Sequence, residues 1–147
     1  MADTLDDLKR NLQSLANSIS SKLNERQGYL DKADEIQKVY DRLARDKKTI
    51  KEYRNDIVYF YKESYNEFKG DNYKYTYKPS IQDLRDSYDD VISNIDINLD
   101  ALNNQILSYK NKASGCLGSL GYMQIHIILL KHRFKIGLIK GDLYGKD

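Results

Sequence analysis

An all-α fold is what this sequence predicts: an elongated antiparallel two-helix hairpin, coiled-coil-like, with a short less regular C-terminal tail. Three observations carry the prediction. Apolar residues recur at steps of three and four along two long stretches. A short polar and aromatic stretch with the only proline separates them. Glycine and proline are otherwise scarce, with 8 Gly and 1 Pro in 147 residues. Steps of three and four trace one face of a helix, and few breakers let helices run long. The expected layout is a helical hairpin over 1–120, with helices at about 4–68 and 80–120 and a turn at about 69–79. A basic, apolar tail follows over 121–147.

The first helix opens with Asp3 or Thr4 as N-cap and Asp6 and Asp7 in the first turn, where acids complement the helix dipole. Its stripe is Leu5, Leu8, Leu12, Leu15, Ile19, Leu23, then Leu30, Ala33, Ile36, Tyr40, Leu43. Gly28 falls where the stripe skips a beat, and a continuous helix with one weak spot is expected there. Ile36, Leu43, Ile50 and Ile57 follow at strict sevens, a coiled-coil seam. Lys47 and Arg54 occupy alternate seam positions and weaken it.

The break reads "NEFKGDNYKYTYKPS", residues 66–80. Pro79 is expected to stop a helix and to hold Lys78 extended. Gly70 is expected to take the left-handed position that closes the first helix. Ser80 would N-cap the second, with Asp83 three residues on. That helix carries the cleaner stripe: Ile81, Leu84, Tyr88, Val91, Ile95, Leu99, Leu102, Ile106, Tyr109, Ala113, Cys116 and Leu120. Gly115, Gly118 and Gly121 then suggest ending or fraying.

Composition narrows the function classes. Net charge is +2, with 40% hydrophobic and 31% charged residues and a mean hydropathy of −0.73. Such a chain lines a seam more readily than it fills a thick core, and nothing in it argues for nucleic acid. The 13 tyrosines suit surfaces that are half buried and half wet. A single cysteine excludes an intramolecular disulfide framework and a cysteine-based zinc site. The N-terminus lacks a secretory-signal pattern, and the longest apolar run, Ile127–Leu130, is too short to span a bilayer. His126 and His132, six apart, do not fit helical ligand spacing, so no metal or other cofactor is expected. Cys116 on the core stripe reads as a buried, inert thiol. Acid pairs such as Asp89–Asp90 and Asp96/Asp100 read as solvated faces. No catalytic constellation results, and a non-enzymatic protein is expected.

Val39, Val58, Phe60, Ile92, Ile97 and Leu107 lie off the seam. So many apolar residues on long thin helices predict a second packing surface, filled by a partner or a second copy.

A long helix, a W-x-G-like corner (here Phe68-Lys69-Gly70), an N-Y pair just after it (Asn72-Tyr73) and a second long helix resemble the YwqH-like family. These small helical proteins accompany LXG-domain toxins of type VII secretion systems and share their architecture with WXG-type proteins. The resemblance covers about residues 4–120. It implies a targeting factor or chaperone that packs along the helical N-terminal domain of a cognate LXG toxin, with or without a second small helical accessory protein. It also implies a cytoplasmic location or co-secretion with the toxin. The partner-binding residues would be the six off-seam residues together with Phe68, and Phe68 and Gly70 would form the turn motif. Tyr59 and Glu63 form a tyrosine-x-x-x-acid match, a candidate secretion signal. Two other classes stay open: a self-associating coiled-coil scaffold, and a small membrane-active secreted protein acting through the basic tail.

Overall fold

The computed structural model describes residues 4–64 and 70–144, with side chains described for 4–59 and 70–141. The fold is an all-α helical hairpin. Helix α1 spans Leu5–Ser64 and helix α2 spans Lys78–Tyr144, with a π-helical turn at Tyr73–Tyr77 leading into α2. Among the described residues there is no strand.

Helix α1 begins as its sequence dictates. Asp7 N–H donates to Thr4 Oγ1 at 3.2 Å, and Thr4 N–H donates back to the Asp7 carboxylate at 3.3 Å. This reciprocal capping box satisfies two donors that a helix start leaves open. The Thr4 hydrogen bonds hold the Asp7 carboxyl below its usual range, with help from Arg10. Helix α1 runs through Gly28 without interruption.

The entry to α2 differs from the expectation. Gly70 is not left-handed; its carbonyl instead accepts from Tyr73 N–H at 3.0 Å and Lys74 N–H at 3.2 Å, starting a new helical turn. Pro79 lies inside the first turn of α2 rather than before it. A proline there lacks an N–H and its ring crowds the carbonyl four residues back. The wide turn absorbs that conflict, since Lys78 N–H reaches five residues back to the Tyr73 carbonyl. Ser80 is not an N-cap; its hydroxyl donates to the Thr76 carbonyl at 2.7 Å.

The C-terminal segment differs too. Residues 121–144 continue α2 instead of forming a less regular tail. Gly115, Gly118 and Gly121 neither end nor fray it, because α-helical glycine costs only about 1 kcal/mol relative to alanine, which the flanking apolar packing overcomes.

The chain forms two compact units, Asp34–Leu107, and Met1–Ala33 with Ser108–Asp147. In the first, the helices run antiparallel. Lys47 pairs with Asp96 and Arg54 with Asp89, so seven residues forward on α1 match seven backward on α2. Ile95, Leu99 and Ile106 are buried there, while Leu102, Ile36, Leu43 and Ile50 are half-buried. In the second unit Leu8, Ala33, Ala113, Cys116 and Leu120 are buried. Its register is again antiparallel, with Tyr29 beside Tyr109 and Lys9 and Leu12 facing Ile127 and Lys131 across a shallow groove.

Candidate functional site: an apolar edge of the Asp34–Leu107 unit

In this unit the α1 contact face is the row Ile36, Leu43, Ile50, Ile57 and, beside it, Tyr40, Lys47 and Arg54, all half-buried. On α2 it is the row Tyr88, Ile95, Leu102 and the row Arg85, Ile92, Leu99, Ile106. Each face has two edges, and charge closes one of them. Arg54 Nε donates to Asp89 Oδ1 at 2.7 Å and its Nη2 to Asp89 Oδ2 at 3.1 Å, a fork-on-fork contact that fixes geometry as well as charge. The Lys47 ammonium reaches Asp96, seven residues along each helix from the Arg54–Asp89 pair. The Arg54 hydrogen bonds hold the Asp89 carboxyl below its ordinary range, and Asp89 in turn raises the Arg54 guanidinium. Asp89 and Asp96 stay about half exposed, as their solvated-face reading expects, but each also pairs across the helices, so Lys47 and Arg54 are seam residues whose charge is matched from the other helix.

The opposite edge carries no such closure. Val39 and Tyr53 each precede a position of the Tyr40–Lys47–Arg54 row by one residue, about 100° round the helix. That places them across the Ile36–Ile57 row from the two cations. On α2, Leu84 and Val91 lie across the contact face from Asp89 and Asp96 by the same period. The ion pairs define one side of the helix pair, so these four share the other side. All four are exposed: Val39 55%, Tyr53 56%, Leu84 46% and Val91 46%. Val39 and Tyr53 are fourteen residues apart, with exposed Asp46 at the position between them, and Leu84 and Val91 are seven apart, the repeat with which one helix meets another.

The off-seam residues named from sequence do not form one face. Val39 lies on the apolar edge. Val58 is half-buried on the ion-paired side, in a small groove with Ile81, Gln82 and Arg85. Ile92 is half-buried within the contact face, Ile97 points away from it at 64% exposure, and Leu107 is exposed near the ion-paired edge. The side chain of Phe60 and the whole of Phe68 lie outside the described residues. Tyr59 is exposed on α1, and the Glu63 side chain is outside the described residues as well. Of the corner motif, Gly70 and Asn72 are exposed, and Tyr73 is buried against Tyr77 with ring centroids 5.7 Å apart.

Sequence reading missed Tyr53, Leu84 and Val91, the last two because they belong to the stripe at steps of three and four. A helix stripe spans a wider arc than one neighbouring helix covers, and here the other helix takes Arg85 and Ile92 instead. The signal that separates them is the position of the aspartates: Asp89 and Asp96, seven apart, match Arg54 and Lys47, seven apart.

Cys116 is buried on the packing face of α2. Among the described residues no group of three or more His, Cys, Asp or Glu side chains could hold a metal ion. One 18-residue stretch of α2, 113–130, reaches a mean hydropathy of 1.3, enough by length and composition to cross a membrane; it holds no Asp, Glu, Lys or Arg, and its small and polar residues break up the apolar run, so counting uninterrupted apolar runs misses it. Comparison with protein-family models, with curated proteins and with solved structures finds no match to this chain.

Proposed function

We propose that this chain is a non-enzymatic docking protein that binds a helix of another protein along the Val39–Tyr53 and Leu84–Val91 edge. The observation that carries the reading is the asymmetry of the helix pair: cross-helix ion pairs close one edge, and the other leaves exposed apolar side chains at helical spacing. In line with the resemblance to the YwqH-like family, the partner is the helical N-terminal domain of an LXG toxin, which the docking protein escorts to type VII export.

Co-expression with an LXG domain, taken first from any encoded beside it, followed by pull-down and titration, tests this. Burying a valine contributes about 1.5 kcal/mol or more, so Val91→Asp is expected to weaken binding at least roughly tenfold. Ile97→Asp, away from the contact face, is expected to leave it unchanged, with helicity retained in both. A tight homodimer that Val91→Asp disrupts, with no LXG binding, would replace this reading with the self-associating scaffold.

A further inference from the structure

The Met1–Ala33 and Ser108–Asp147 unit carries a second surface. Within it α2 packs on α1 through Cys116 and Leu120, which are buried, and through Ile127, Leu130 and Phe134, which are half-buried. Directly opposite, at the helical period, lie Ile125, Ile128, Leu129, Ile136 and Ile139, all exposed at 41–66%. They cover an arc of roughly 120°, interrupted only by His132. Lys131 and Lys135 border this arc on one side, Arg133 and Lys140 on the other, and all four are exposed. From Ala101 to Gly141 the sequence holds no acidic residue.

We infer that the outer face of α2 from Ile125 to Ile139 seats on an anionic lipid surface, the helix lying in the plane of the interface. Charge selects the occupant. A second copy would bring two positive borders together, whereas phospholipid headgroups supply negative charge on both sides of an apolar layer. Lysines flanking an apolar arc can lay their methylenes along it and raise their ammonium groups to the headgroups. The arc is wider than the two positions per heptad that a partner helix covers, and it matches the broad apolar face of an interfacial helix. Lying in the interface also suits the packing on α1: crossing the bilayer would carry Lys9 and Gln13, which line the groove with Ile127 and Lys131, into hydrocarbon. This inference does not depend on the docking edge of the other unit.

The test is flotation of the full-length protein with vesicles of phosphatidylcholine alone and of phosphatidylcholine mixed with phosphatidylglycerol. The protein is expected to float with the mixed vesicles and not with the neutral ones, and to be released as salt rises. Each lysine at such a surface is worth roughly fivefold in partitioning. Combining Lys131→Gln, Lys135→Gln and Lys140→Gln, exposed changes that leave the apolar packing intact, is therefore expected to reduce binding by more than tenfold. Ile128→Asn should reduce it with helicity retained. Absence of flotation or equal flotation with neutral vesicles overturns the inference. So does attachment that survives alkaline carbonate, the mark of a spanning helix. A dimer in lipid-free buffer that Ile128→Asn dissociates would overturn it in favour of a second copy.

Discussion

In the Asp34–Leu107 unit, α2 from Lys78 to Leu107 carries six aspartates and two basic residues; in the other unit, α2 from Ser108 to Gly141 carries six basic residues and no acid. The contacts follow this difference. In the first unit the cross-helix polar contacts are Lys47–Asp96 and Arg54–Asp89. In the second, the described ion pairs are local to α1, Arg10–Asp7 and Lys22–Glu25. Its helices meet instead through apolar and aromatic groups, with Tyr29 and Tyr109 rings 6.3 Å apart and the Lys112 ammonium over both. Ion pairs therefore link the helices in one unit, whereas in the other the cross-helix contacts of Lys32 and Lys112 are with tyrosine rings. An apolar seam tolerates slippage by a heptad, whereas two ion pairs seven residues apart penalise any shift that separates both.

The largest effect should come from the core of the ion-paired unit. Ile106 is 3% exposed, and Ile106→Ala is expected to cost about 2–4 kcal/mol in urea unfolding. Leu102, half-buried, should cost visibly less. Equal losses at the two would mean that the contact face is centred one row away from Ile106.

Acid should separate the units next. Asp89, Asp7 and Glu25 all have lowered pKa values, from ordinary values of 3.8, 3.8 and 4.5, through the Arg54, Thr4 and Lys22 hydrogen bonds respectively. For each, the unfolded chain takes up a proton first as pH falls. The stabilisation is thus complete above the ordinary value and lost as pH drops through the depressed one. Asp89→Asn should remove part of the acid-induced loss in cross-helix pairing, read from amide exchange near Arg54. Asp7→Asn should change only the first turn of α1. If Asp89→Asn leaves the acid profile of exchange near Arg54 unchanged, the register argument fails.

Much of the fold was legible because a period of three and four needs only one helix to show itself. Thr4 and Asp7 were readable for the same reason, being local. What required both helices was not: Asp89 looks merely solvated until Arg54 is placed opposite it, and Leu84 belongs to the stripe until Arg85 takes the contact. The helical state of 121–144 was missed because three glycines outweighed the apolar period that continues through Ile127, Leu130 and Phe134. Capping offers a check on the local side of this contrast. Thr4→Ala removes the hydroxyl from the box and should cost about 1 kcal/mol, seen as fraying at Leu5–Leu8 without change at Ile95 or Leu99.

The smallest expected effect has the opposite sign and compares glycines. Gly28 of α1 and Gly118 of α2 both lie inside helices with ordinary helical backbone, and an added Cβ would meet nothing within 4 Å at either. Neither supports a turn or a close helix crossing, so each weakens its helix through backbone entropy alone. Gly28→Ala and Gly118→Ala should therefore each stabilise the protein by about 0.5–1 kcal/mol. Both belong to the Met1–Ala33 and Ser108–Asp147 unit, and the two gains should add if neither glycine touches the other's neighbours. A loss of stability at Gly118 with a gain at Gly28 would show that the outer face of α2 meets another surface in solution. That result would move the contrast between the units from their charges to what covers them.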